Sequence, residues 1–243
     1  MKKLTSSAPL VEPLLWDTNF WGVSAARINA ASQTELLRGL DECRALGVRW
    51  ASVLVPVGLT ALIDSAVRAG FHMVDVRITM RRSIDGTAGP TPVCLIASEE
   101  LHQAQNLVEG AFGISRFFAD SHLDRARCGE FYRTWVANSF SGEMADVIVA
   151  SRHEGSLDAF VTIRYDSNRL ASLPLVAVRS DRRGIGVGKW VMREALNWLG
   201  NEGMESVDVT TQLANVGAIR LYESLGFAIH DSGVWLHHWF NYE

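Results

Sequence analysis

The chain is poor in cysteine, lacks long apolar runs and carries no surplus of positive charge. Its 243 residues include three cysteines, Cys43, Cys94 and Cys128. They are widely spaced and odd in number, which argues against a disulfide framework and a zinc knuckle. The expectation is three half-buried thiols in a reducing cytoplasm. No run of 18 or more apolar residues occurs, so no membrane span is predicted. The opening Met1-Lys2-Lys3 is followed by an apolar run that is short and broken by Glu12 and Pro13, which argues against a secretory leader. Lys and Arg total 23 against 27 Asp and Glu, a net charge of −4. That balance suits neither nucleic acid nor any other extended phosphate backbone. The seven histidines show no metal-ligand spacing, so no metal is expected. His237 and His238 are neighbours in a predicted strand and should face opposite sides.

What is present is ordinary for a packed protein, with 48% apolar and 21% charged residues. The segment Ser83-Ile-Asp-Gly-Thr-Ala-Gly-Pro-Thr-Pro92 holds two glycines and two prolines and reads as a linker. It divides the chain into an N-terminal α/β domain, 1–82, and a C-terminal domain, 93–243. The first is expected to hold a helix over 33–46, a strand over 50–55, a helix over 59–69 and a strand over 71–80. Gly47 and Gly70 follow the helices as left-handed caps. After the linker the pattern predicts a strand over 93–97, a helix over 98–112, irregular chain over 114–129 and a helix over 130–140. Strands follow near 146–152, 158–164 and 170–178. Then come a glycine-rich turn, a helix over 187–199, a strand over 206–211, a helix over 216–225 and closing strands near 227–231 and 234–240. This order indicates a mixed α/β sheet. The helix–Gly–Phe–strand segment 66–71 is echoed by 221–227, so the N-terminal half reads as a degenerated copy of part of the C-terminal one.

The most informative stretch runs from Leu173 to Lys189. An apolar strand enters a turn with Gly184, Gly186 and Gly188, and a helix starts directly after. Glycines allow close backbone approach and positive φ, and a helix start with bare N–H groups suits a diphosphate. Arg179, Arg182, Arg183 and Lys189 supply positive charge. A Walker loop would need Gly where Arg183 stands and Ser or Thr where Trp190 stands. A dinucleotide fingerprint would need Gly at Lys189. What remains, Arg183-Gly-Ile-Gly-Val-Gly188, resembles the coenzyme A pyrophosphate turn of the GNAT acetyltransferases. A second segment, Asn215-x-x-Ala218-x-x-x-Tyr222 followed by Gly226-Phe227, resembles that family's second signature. Alone, Asn215 reads as a helix N-cap and Tyr222 as a core aromatic.

The resemblance implies a GNAT fold: a mixed, mostly antiparallel sheet with splayed central strands, here preceded by a smaller α/β half. It implies acetyl-CoA as cosubstrate, held by Val176, Val178, Arg183, Gly184, Ile185, Gly186, Val187, Gly188, Lys189, Asn215 and Ala218, with Tyr222 beside it as the acid that protonates the leaving thiolate. Leu15–Gly22, Ser115-Arg-Phe117, Asp120, Phe131–Trp135, Asn197-Trp198 and Thr211-Gln212 resemble a narrower group that N-acetylates dTDP-linked 4-amino-4,6-dideoxy sugars. In that group a glutamate on the N-terminal strand is the base for the sugar amine; Asp75 stands there in this chain, one methylene shorter. Arg116, Phe117, Tyr132 and Trp135 are the candidates for lining the acceptor pocket. The resemblance also implies a cytoplasmic enzyme and a homodimer. A GNAT acting on another small amine, antibiotic or peptide N-terminus, or a non-catalytic acyl-CoA module, remains open at this point.

Overall fold

The computed structural model describes residues 8–84, 95–109, 111–166 and 169–241. Residues 85–92 of the expected linker, and Cys94, lie outside the described residues. In chain order the elements are β1 (Val11–Pro13), α1 (Leu15–Trp21), β2 (Ala25–Ile28), α2 (Gln33–Ala45), β3 (Trp50–Pro56), α3 (Thr60–Arg68), β4 (His72–Ser83), α4 (Leu101–Val108), α5 (Arg116–Ala119), α6 (Arg125–Phe140), β5 (Val147–His153), β6 (Ser156–Tyr165), β7 (Leu170–Leu173), β8 (Val176–Val178), α7 (Val187–Asn201), β9 (Ser206–Gln212), α8 (Val216–Glu223) and β10 (Ala228–Trp239). The described residues form two compact units. One takes residues up to Arg77 together with Ala119–His122 and the chain from Ser232 onward; the other takes Ile78–Phe118 and Leu123–Asp231. The units are therefore interleaved along the chain.

In the first unit β1 pairs antiparallel with β2, β2 pairs parallel with β3, and β3 pairs antiparallel with β10 from Trp50↔Trp239 to Pro56↔Gly233. Val53, Val55, Val234 and Leu236 form one face, buried with Leu36, Leu40, Leu62 and Ala66 of α2 and α3. Strand alternation puts Arg27, Ser52, Leu54, Trp235 and His237 on the other face. The two neighbouring histidines do face opposite sides. His237 is fully buried beside Asp120, while His238 packs on Phe71 and Phe240. The closing strands are one strand. Gly233 makes no turn; it lies flat in β10, where an added Cβ would come within 2.7 Å of Leu54 Cδ1. Composition did not reveal β1, α1 and β2. There the short helix is fixed by aromatic contacts, Trp16 stacked on Phe20 at 5.4 Å and Trp21 edge-on to Trp50 at 6.4 Å.

In the second unit β6 pairs antiparallel with β5, β7 and β8, and β7 pairs parallel with β9. Arg81 of β4 forks onto Asp208 of β9 at 2.6 and 2.7 Å. The core gathers Val161, Ile163, Leu173, Met192, Leu199, Val209, Tyr222 and Phe227. Helix α6 starts earlier than expected because Asp124 caps it, accepting from the Arg127 N–H at 2.9 Å. The strand expected over 170–178 breaks at Pro174 into β7 and β8. Around 95 there is only an isolated bridge, Leu95↔Val149. Cys43 and Cys128 are fully buried, deeper than expected, and form no disulfide among the described residues.

Candidate active site

The break at Pro174 opens the second unit's sheet. The parallel ladder between β7 and β9 runs from Leu170↔Ser206 to Leu173↔Val209, and β9 continues to Gln212. Beyond the break β8 pairs with β6, Val176↔Val161 to Val178↔Ala159. Among the described residues no ladder joins β8 to β9. β8 and the end of β9 thus part without pairing, leaving a gap between them.

The direction of the backbone groups on the gap's wall follows from two hydrogen bonds. Thr162 N–H donates to Leu175 O at 2.9 Å, and Arg179 N–H donates to Asp158 O at 2.8 Å. In an antiparallel ladder bonded and non-bonded pairs alternate. Leu175, Ala177 and Arg179 thus address β6, and Val176 and Val178 aim their N–H and C=O groups into the gap. These are the two strand positions that the GNAT resemblance marks.

The turn after β8 is open. Gly184 and Gly186 have φ of 78° and 94°, in the left-handed region that L side chains rarely adopt, and nothing stands within 4 Å of a Cβ built on either. Ile185 is 63% exposed. Among the described residues no backbone carbonyl accepts from the amides of residues 184–189; the first bond of α7 is Trp190 N–H to Gly186 O at 3.0 Å. Gly186 caps α7 without a side-chain acceptor. A row of unpaired N–H groups at a helix N-terminus attracts an anion.

The four cations near the turn divide by role. Arg179 and Arg182 clamp the buried carboxylate of Asp158 on β6, at 3.2 and 3.0 Å, and Arg179 also meets Asp181 at 2.7 Å. They anchor the turn and their charge is largely matched. Arg183 donates through Nε to Val178 O at 3.1 Å, and Lys189 forms no ion pair among the described residues. These two keep charge for a ligand. Gly188 marks where the pieces converge: a Cβ there would lie 3.3 Å from Val178 Cγ2 and 3.4 Å from Leu221 Cδ2. The end of β8, the first turn of α7 and α8 therefore meet at one point. Val176, Val178, Val187, Ala218 and Leu221 all pack on the core that contains Tyr222.

Asn215 is the N-cap of α8, its Oδ1 accepting from the Ala218 N–H at 3.2 Å. Tyr222 is 4% exposed, with its ring 5.9 Å from that of Phe227. Burial pushes its phenol above the ordinary tyrosine value, so it carries its proton throughout the neutral range, as a proton donor must.

The other predicted residues are carried by other elements. Arg116 and Phe117 are on α5, and Tyr132 and Trp135 on α6. Phe117 and Tyr132 are buried, Phe117 against Phe131 at 4.3 Å and Tyr132 stacked on Phe112 at 4.4 Å. The Arg116 guanidinium covers the Phe117 ring at 4.6 Å. These rings support one another, while Arg116 and Trp135 stay half-buried. Asp75 belongs to the first unit and is half-buried on β4.

Sequence reasoning missed one polar hub in the first unit. His72 Nε2, Asp120 and His237 Nδ1 lie within 4.8 Å of one another. The buried Asp120 accepts from His237 Nδ1 at 2.7 Å, Trp239 Nε1 at 2.9 Å and the His122 N–H at 3.0 Å. Burial alone would raise its pKa; the donors outweigh that and hold the carboxyl below the usual aspartate range. No local spacing signals a contact between residues 117 apart in the chain.

Residues 122–227 match the acetyltransferase (GNAT) family. This is a GNAT acetyltransferase domain. A curated relative, the dTDP-fucosamine acetyltransferase of Escherichia coli O6:H1 strain CFT073, is 26% identical over 231 residues, covering 93% of this chain and 97% of the relative. The spore coat polysaccharide biosynthesis protein SpsD of Bacillus subtilis strain 168 is 31% identical over 134 residues, 55% of this chain and 45% of that protein. Among solved structures, a tandem GNAT protein from the clavulanic acid biosynthesis pathway superposes with a TM-score of 0.61 at 12% identity, covering 91% of this chain and 77% of the other. That likeness shows the fold. The glycine turn and the strand gap both lie inside the matched residues 122–227. Among the described residues no helix is long and apolar enough to cross a membrane.

Proposed function

We propose that the protein transfers an acetyl group from acetyl-CoA to the amine of a dTDP-linked 4-amino-4,6-dideoxy sugar. The observation that carries the donor half is the pairing of an open amide-lined turn, residues 184–189, with a strand gap walled by the outward backbone groups of Val176 and Val178. The turn suits a pyrophosphate and the gap suits an extended chain of amides. The relative named as a dTDP-fucosamine acetyltransferase, matched along nearly its whole length, supports the acceptor half.

In this reading the neutral amine attacks the thioester carbonyl carbon. An N–H at the end of β8 stabilises the oxyanion. As the tetrahedral adduct collapses, the C–S bond breaks and Tyr222 gives its phenol proton to the thiolate. The extra proton on nitrogen leaves to a base, for which Asp75 is the proposed carboxylate. The products are an amide and the free thiol. Arg116 and Trp135 remain the proposed acceptor-lining side chains on α5 and α6, with Phe117 and Tyr132 fixing them from the core. We place the reaction in the cytoplasm and expect a homodimer, which sedimentation tests.

The deciding experiment incubates the protein with acetyl-CoA and a panel of amines and follows free thiol. A preference for dTDP-amino sugars supports the acceptor; a preference for a simple amine overturns it. Calorimetry that detects no acetyl-CoA binding overturns the whole reading.

A further inference from the structure

Helix α7 runs out of the glycine turn, and its charges are placed against the usual rule. A helix N-terminus favours acids and disfavours cations, yet the first turn of α7 holds no acid and carries Lys189. Arg193 follows at i+4, a like-charge pair that destabilises an isolated helix. Neither side chain forms an ion pair among the described residues. Trp190 stands between them. The chain has eight tryptophans. The other seven meet another ring, a cation or a hydrogen-bond acceptor. Trp190 meets none of these among the described residues and is 45% exposed. Val191, Met192, Ala195, Leu196 and Leu199 of the same helix serve the core, so packing does not explain an indole at 190. Gly186, Lys189, Trp190 and Arg193 recur at i, i+3, i+4 and i+7, which is one face of the helix. Helical side chains lean towards the N-terminus. Trp190 and Arg193 therefore lean towards the open amides of the turn, from about 6 and 10 Å along the axis beyond Gly186.

We propose that this face of α7 binds the adenosine end of acetyl-CoA: adenine stacks on Trp190, and the 3′-phosphate on its ribose pairs with Arg193 and Lys189. The inference rests on the reading of acetyl-CoA as donor and names what holds the end of it that the turn and the strand gap do not reach. Any base presents a π-face to an aromatic ring, so an indole stacks on it without further recognition. A phosphate monoester brings close to two negative charges at neutral pH, and its oxygens match the guanidinium fork of Arg193. Both groups hang from the diphosphate that the turn's amides suit, so the face continues that turn. An acidic carrier protein with the same thioester arm would also meet Lys189 and Arg193. The isolated indole favours the nucleotide, because one ring suits one base, whereas a docked protein covers about 800 Å² of its partner.

Calorimetry on the full chain tests it with three donors of decreasing size: acetyl-CoA, its 3′-dephospho form and S-acetyl-4′-phosphopantetheine. W190A is expected to weaken acetyl-CoA at least about fivefold, with W190F between it and the parent. W190A should bind S-acetyl-4′-phosphopantetheine as the parent does, which also reports intact folding. Removing the 3′-phosphate should weaken binding to the parent and matter less to R193Q. W190A binding acetyl-CoA as the parent does overturns the assignment, as does an equal loss for all three donors. R193Q as sensitive to the 3′-phosphate as the parent overturns the phosphate half. In each of those cases a parent that binds acetyl-CoA leaves the donor reading standing. If the parent binds no acetyl-CoA and takes its acetyl group from an acyl carrier protein, both fall.

Discussion

Arg183 Nε is hydrogen-bonded to the carbonyl oxygen of Val178 at 3.1 Å. One side chain of the glycine turn thus reaches back to the end of the strand that walls the gap. An arginine that engages a pyrophosphate contributes a charge-assisted bond of about 1.5–3 kcal/mol. R183A is expected to weaken acetyl-CoA binding at least tenfold and to flatten its salt dependence. Titration calorimetry at two ionic strengths checks this.

Gly186 sits at φ 94° with open space around it. G186A meets no clash, so its cost is the backbone alone, about 1–2 kcal/mol. The strain falls on the turn that presents the amides. The expected outcome is a tenfold higher KM for acetyl-CoA with a small loss in Tm, read from steady-state kinetics and thermal melts.

Tyr222 must be protonated to act as an acid, and burial raises its pKa. The alkaline fall in kcat assigned to it should therefore lie above the ordinary tyrosine pKa of about 10. Y222F should bind acetyl-CoA as the parent does and lose about 10²–10⁴-fold in kcat. Unchanged turnover would remove Tyr222 as the acid.

Asp120 is held ionised by its donors, so its folded pKa lies below its unfolded one. The stability it contributes is complete above the unfolded value and is lost as pH falls through the folded one. D120N leaves His237 and Trp239 facing a poorer acceptor in a buried site and is expected to cost about 3–5 kcal/mol. Urea melts at pH 7 and pH 3 test both points: the gap between parent and variant should narrow at the lower pH.

Cys43 is fully buried, and burial pushes its thiol pKa up to about 11. At pH 8 it is a protonated, inaccessible thiol. Iodoacetamide should leave Cys43 unmodified in the native protein and label it in urea, as peptide mass mapping would show.

The elements around the carrier site were legible in the sequence because local rules set them. Gly184 and Gly186 announce left-handed φ and Asn215 announces a cap, each acting within a few residues of itself, whereas the break at Pro174 was missed in a strand expected to run unbroken over 170–178. The first unit was less legible. Val11–Pro13 and Ala25–Ile28 are too short for a period to stand out, and α1 is held by contacts to Trp50 that no neighbouring residue reveals. The hub on Asp120 joins distant segments, and its chemistry exists only once the chain is folded. Phe117 and Tyr132, quoted from a resembling segment, are buried and packed against Phe131 and Phe112, contacts that no local spacing announces.

The pairing of β3 with β10, from Trp50↔Trp239 to Pro56↔Gly233, has a consequence for synthesis. During translation the N-terminal segment leaves the ribosome with the strand edge of Trp50–Pro56 bare, and its partner follows some 180 residues later. At about 5–20 residues per second that interval lasts roughly 10–40 seconds. A nascent chain waiting that long with an unpaired edge is a natural client for a holding chaperone.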